Sequence, residues 1–99
     1  MRMRVYISGP ITGMPDLNRH AFDEMERALR VAGYRPVNPH TLPSHSFAAD
    51  VTWQGYMRRD IAALMTCSAI VMLPCWMDSG GAKLEHDLAL AVGITEIFL

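Results

Sequence analysis

Ala69-Ile70-Val71-Met72-Leu73-Pro74, followed after a short turn by Asp78-Ser79-Gly80-Gly81-Ala82-Lys83-Leu84-Glu85-His86-Asp87-Leu88-Ala89-Leu90-Ala91-Val92, decides the fold. The first run is continuously apolar and rich in β-branched residues, as a strand covered on both faces must be. The second starts as a glycine turn and continues as a helix, because Ser79 is a good N-cap and no Gly or Pro interrupts Ala82 to Val92. Strand, glycine turn and helix in that order form half of a parallel βαβ unit. On the helix, Gly81, Glu85, Leu88 and Val92 fall at i, i+4, i+7 and i+11, so Glu85 shares the stripe expected to face the interior. An ionised carboxylate buried there costs several kcal/mol unless it is paired or protonated. A polar pocket is therefore the readier explanation than a packed core, with a helix N-terminus able to hold an anion at its edge.

Upstream, Met3 to Ser8 reads as a short strand ended by Gly9-Pro10, with Val5 and Ile7 on one face and Tyr6 on the other. The loop Ser8-Gly9-Pro10-Ile11-Thr12-Gly13-Met14-Pro15 admits two readings. It is an ordinary strand-to-helix turn, or a cradle in which small residues let backbone amides approach a ligand. It lacks the Gly-Lys-Ser/Thr ending of a P-loop. Asp16 or Asn18 can cap a helix running to about Ala32, with Phe22, Met25, Leu29 and Ala32 inward and Asp23, Glu24, Glu26, Arg27 and Arg30 on a solvated face. Tyr34 to Val37 is a second strand, and its proline favours an edge. Asn38 to Thr52 is a long irregular stretch, of the kind that closes over a substrate or partner; its His40 and His45 lack the company a metal site needs.

Trp53 to Cys67 is predicted as a helix with the stripe Trp53, Met57, Asp60/Ile61, Leu64 and Cys67. Asp60 is a second single acid on an apolar face, explained either by pairing with Arg58, Arg59 or a backbone amide, or by a site shared with Glu85. Thr95 to Leu99 supplies a last strand. Four strands alternating with three helices predict an α/β fold, a small doubly wound parallel sheet in the order 2-1-3-4 with helices on both faces. Both special loops then emerge at the carboxyl ends of the central strands, where open sheets of this type bind ligands.

Ninety-nine residues predict a single domain over 1–99 that buries roughly 60–65% of its unfolded surface. The formal net charge is −1 with scattered basic residues, which does not suit a nucleic-acid binder. Cys67 and Cys75 have no ligand spacing and read as free thiols. No leader pattern or membrane-length apolar run is present, so a cytoplasmic protein is expected. Half of the residues are apolar. With so small a core, that surplus predicts a homo-oligomer. Trp53, Tyr56, Met57, Trp76 and Met77 read either as packing, within the chain or against a partner, or as a wall that stacks on a base.

Tyr6-Ile7-Ser8-Gly9-Pro10-Ile11-Thr12-Gly13, Arg59-Asp60-Ile61-Ala62-Ala63-Leu64, Ala69 to Leu73 and Ser79-Gly80-Gly81 with Glu85 together resemble the nucleoside 2-deoxyribosyltransferases. More closely they resemble the related 2′-deoxynucleoside 5′-monophosphate N-glycosidases, and short phage and bacterial proteins near them. The resemblance implies a Rossmann-like fold, a nucleoside or nucleotide substrate, no cofactor and no metal. It implies Glu85 as a nucleophile on the anomeric carbon, Asp60, partly desolvated, as the acid assisting the leaving base, and Tyr6 beside both sugar and nucleophile. Ser8, Gly9, Ile11 and Gly13 match the loop over the sugar-phosphate, and Ser79 and Gly81 the 5′-phosphate site. Three differences bear on substrate identity. Thr12 stands where the monophosphate hydrolases carry an arginine, His86-Asp87-Leu88 where relatives usually have a small glycine-containing segment, and the transferases continue beyond the position of Leu99 with residues that reach a neighbouring subunit's site. The alternative expectation is a non-catalytic nucleotide-binding module on the same fold.

Overall fold

A computed structural model describes residues 2–43 and 52–99. Among these residues β1 is Arg4–Ser8, α1 Arg19–Val31, β2 Arg35–Val37, α2 Trp53–Leu64, β3 Ala69–Met72, α3 Gly80–Ala91 and β4 Thr95–Ile97. All neighbouring strands are parallel and the order is β2-β1-β3-β4, the doubly wound arrangement that the alternation predicts. Val5 lies opposite Pro36 on one side and Ala69 on the other, and Ser8 lies opposite Met72. The proline thus sits on an edge strand, where its missing N–H costs least.

The two-residue period of the central strands divides the core. Val5, Ile7, Ala69 and Val71 pack with Phe22 and Leu29 of α1 on one face. Tyr6 and Ile70 pack with Leu64 of α2 and Ala89 of α3 on the other. Phe22 and Leu29 are fully buried, and each contributes about 1.5–3 kcal/mol toward holding α1 in place. Helices therefore cover both faces, and the loops after β1 and β3 open at the same end of the sheet.

Several helical details differ from the expected ones. α1 ends at Val31, leaving Ala32 exposed, and α2 stops at Leu64. Trp53, in the first turn of α2, is 50% exposed. The buried stripe of α3 is Ala82, Glu85 and Ala89 rather than the line from Gly81 to Val92. Small alanines let α3 lie close to the sheet on that line, and Val92, past the helix end, stays exposed. Glu85 belongs to both lines and is inward either way. On α1, Asp23 and Glu26 are not purely solvated. They accept hydrogen bonds from the amide of buried Asn38, each at 3.2 Å.

Candidate active site

Tyr6 and Ser8 are two residues apart on β1, so both side chains point to the face covered by α3. There they meet Glu85. The Tyr6 hydroxyl donates to Glu85 Oε2 and the Ser8 hydroxyl to Oε1, both at 2.7 Å and both buried. α3 is placed by its own N-cap, where Ser79 Oγ accepts from the Ala82 amide at 3.2 Å. Glu85 is 5% exposed. Burial pushes its carboxyl up to about 7, the two hydroxyl donors pull the other way, and the charge of Asp60 adds to the rise. Burial and the Glu85 charge hold Tyr6 well above the ordinary phenol range, so it remains a donor.

α2 supplies the second acid. Thr52 caps this helix by accepting from the Gly55 amide at 3.0 Å. Two turns in, Asp60 is buried, and its Oδ1 accepts from Arg59 Nε at 3.0 Å and Nη2 at 2.9 Å. The same Nη2 donates to the Pro39 carbonyl at 3.1 Å, and the guanidinium lies 5.3 Å from the centre of the Tyr56 ring. Asp60 thus pairs with Arg59, one of the partners the sequence offered, and also lines the cavity that Glu85 lines.

Glu85 and Asp60 line one cavity of about 940 Å³ with Gly9, Ile11, Ser79 and Gly81. Tyr6 and Ser8 stand behind Glu85, and Gly13 is not among the lining residues. Two of the glycines have steric work to do. A Cβ on Gly9 would come within 2.7 Å of Leu73 Cβ, so the loop can rest on the end of β3 only without a side chain. A Cβ on Gly81 would come within 3.3 Å of Met57 Sδ, on the α2 side of the cavity. Trp53, Tyr56 and Met57 also line the space. Trp76 and Met77 do not; Trp76 stacks at 4.3 Å on the ring of His86, whose Nε2 is 2.8 Å from Glu96 Oε1.

Part of the wall was not legible as such. Leu17, Arg19, Pro39, His40 and Leu42 also line the cavity. Asp16, Leu17 and Asn18 form a left-handed turn with φ of 49°, 53° and 61°, an unfavourable conformation for leucine. The turn is tied down at its middle and at its last residue. Asn18 Nδ2 donates to the Pro10 carbonyl at 2.9 Å, and His40 Nε2 donates to the Leu17 carbonyl at 2.9 Å. Burial lowers the His40 pKa, which favours the neutral ring carrying its proton on Nε2 for this bond. The His40 ring also packs edge-on against Phe22 at 4.8 Å. Asn38 holds His40 in turn, its Oδ1 accepting from the His40 amide at 3.0 Å. The Asn-Pro-His order after a strand was the available signal, because an asparagine there can bond the backbone two residues on. His45 and the middle of the long loop lie outside the described residues, and so does the lid reading that depends on them.

Among the described residues no group of three or more His, Cys, Asp or Glu side chains is placed to hold a metal ion, and no helix is long and apolar enough to cross a membrane. Cys67 and Cys75 are free thiols, the first buried and the second exposed.

A search of the curated proteins found no match. Among solved structures, the 2-deoxyribosyltransferase from the psychrotolerant bacterium Bacillus psychrosaccharolyticus is similar, with a TM-score of 0.69 and 16% identity over 96% of this chain and 70% of that one. The likeness establishes a deoxyribosyltransferase-like α/β fold, with the two special loops at one end of its sheet. At the level of sequence, a family model described as "Domain of unknown function (DUF4406)" matches residues 3–98, and the chain belongs to that family.

Proposed function

We propose that this protein cleaves or transfers at the N-glycosidic bond of a deoxynucleoside or its 5′-monophosphate, with Glu85 as the nucleophile. The observation that carries the reading is a buried carboxylate at a cavity wall, held by two hydroxyl donors, with a second buried acid facing the same space. The solved neighbour is a 2-deoxyribosyltransferase, which agrees with it. Glu85 attacks the anomeric carbon as the bond to the base breaks, and the electron pair leaves with the base. The resulting glycosyl ester is then opened by water or by a second base. The backbone around Ser79 and Gly81, at the start of α3, receives a 5′-phosphate, and the loop Gly9 to Gly13 covers the sugar. The protein works as a homo-oligomer in the cytoplasm, on a small molecule rather than a nucleic acid.

Asp60 carries two readings. As the acid it protonates the leaving base. Its ion pair with Arg59 favours instead an acceptor that orients the substrate, with the base taking its proton elsewhere. Asp60→Asn separates them. An acid is dispensable for substrates whose base leaves easily, whereas an orienting acceptor is needed for all of them.

The primary test incubates the protein with a panel of deoxynucleosides and deoxynucleotides, with and without a second base, and follows free base by chromatography. Release or exchange is expected from the wild type and is expected to fall at least 1,000-fold in Glu85→Ala, about 4 kcal/mol of barrier. If the wild type turns over nothing at high concentration while a panel member raises its Tm, the chain is a nucleotide-binding module instead.

A further inference from the structure

We propose that Ser8 is a positioning residue of the site, acting with Tyr6 as a two-point clamp that fixes both oxygens of Glu85, and is not a contact for the substrate's sugar or phosphate. The inference deepens the reading of Glu85 as the nucleophile, and only its kinetic arm rests on that reading.

Three observations carry it. Ser8 is fully buried and absent from the cavity lining, so a bound molecule in that space would meet Glu85 before it met the serine. Its hydroxyl donates to Glu85 Oε1 at 2.7 Å while Tyr6 holds Oε2 at the same distance, so each oxygen has its own donor. Finally, the clamp is built into a central strand of the sheet, paired on both sides. The Ser8 carbonyl accepts from the Leu73 amide at 2.8 Å, and Ser8 is in register with Met72. A carboxylate held by one donor can rotate about its last torsion, whereas one held at both oxygens from the same rigid strand keeps its plane. An attacking oxygen must be held to within fractions of an ångström, and the clamp does this from the side away from the cavity.

Among the described residues, Tyr6 faces Glu85 from β1 and Asp60 with its partner Arg59 from α2, while Arg19 of α1, His40 after β2, Tyr56 of α2 and Asp78 before α3 line the same cavity. Of the interactions that act on Glu85, the Ser8 hydrogen bond is the foremost favouring the ionised form, ahead of that from Tyr6, against burial and the charge of Asp60.

The test needs no substrate. Protein labelled with 13C at glutamate carboxyls, with the Glu85 resonance assigned from Glu85→Gln, is titrated from pH 4 to 10. The wild-type midpoint is expected near 7. In Ser8→Ala it is expected to rise by about one pH unit, a tenfold change in the proton-binding constant, because the donor lost is one that favours the charged form. Ser8→Thr, which keeps the hydroxyl, is expected to restore it. Ser8→Cys, with a weaker donor of similar size, is expected in between and serves if the alanine variant does not fold. An unchanged or lower midpoint in both Ser8→Ala and Ser8→Cys overturns the proposal.

The kinetic arm uses whichever substrate the panel identifies. The acid limb of kcat/KM is expected to move up with the carboxyl midpoint, while KM at high pH stays within twofold of wild type. A tenfold rise in KM with an unmoved limb overturns the clamp and makes Ser8 a substrate contact. Since the titration reads the carboxyl directly, a protein without glycosidic activity can still pass it, so failure of the clamp and failure of the proposed function are told apart.

Discussion

At Glu85 the proposed chemistry and the stability of the fold pull in opposite directions. A carboxyl whose folded midpoint is about 7 against an ordinary value of 4.5 binds its proton more tightly in the folded state. Stability from this group is therefore greatest below about pH 4.5 and is lost as pH rises through the folded midpoint; above pH 7 the cost is roughly 3 kcal/mol. Glu85→Gln mimics the protonated form. Urea unfolding at pH 8 is expected to find the variant more stable than wild type by up to that amount, with the difference vanishing near pH 4.5. No gain at pH 8 would mean that the carboxylate is better solvated than its burial indicates. Glu85 was legible in the sequence because a charge on an apolar helix face is conspicuous. Ser8 was legible only as part of a small-residue loop, since nothing in a sequence says that a strand-end hydroxyl meets a helix 77 residues later.

Two glycines test how the elements approach one another. At Gly9 an added methyl meets the Cβ of Leu73, which cannot swing away, so Gly9→Ala forces the loop off the end of β3. A loss of about 1–3 kcal/mol in chemical denaturation is expected. At Gly81 the added methyl meets the sulfur of Met57, the flexible part of an adaptable side chain, and alanine is the better helix former. Gly81→Ala is expected to change stability by less than about 1 kcal/mol while narrowing the cavity between α2 and α3. If both variants lose similar stability, the contrast between a rigid and a yielding neighbour is wrong. Among the elements, strand order was legible because alternation and a right-handed crossover leave few arrangements. The inward line of α3 was not. Leu88 and Val92 look as suitable as Ala82 and Ala89 until close packing on the sheet selects the smaller residues. The left-handed turn at Asp16 to Asn18 was hidden for a similar reason, because it depends on His40 and Pro10 to accept its geometry.

Across the molecule, apolar surface is the feature left over. Trp53, Tyr56, Met77 and Leu84 are all more than a third exposed, and Trp53 lies beside Gly81 at the cavity rim. Light scattering coupled to gel filtration is expected to give a mass that is a multiple of the 11.1 kDa chain. Trp53→Glu is expected to lower that mass toward the monomer, and a wild type that is monomeric at high concentration would leave this surface to serve the cavity alone. The position of β1 has a consequence of a different kind. It is paired on both sides, and Val5 to Ser8 are buried. Its amides should be among the slowest to exchange with deuterium, opening only when the whole sheet does. Leu17, Trp53 and Tyr56 of the cavity wall lie outside the sheet and are each more than a third exposed. Local motion of those exposed side chains would leave Tyr6, Ser8 and Glu85 assembled, so changes at the cavity mouth and the integrity of the buried carboxylate would run on separate clocks.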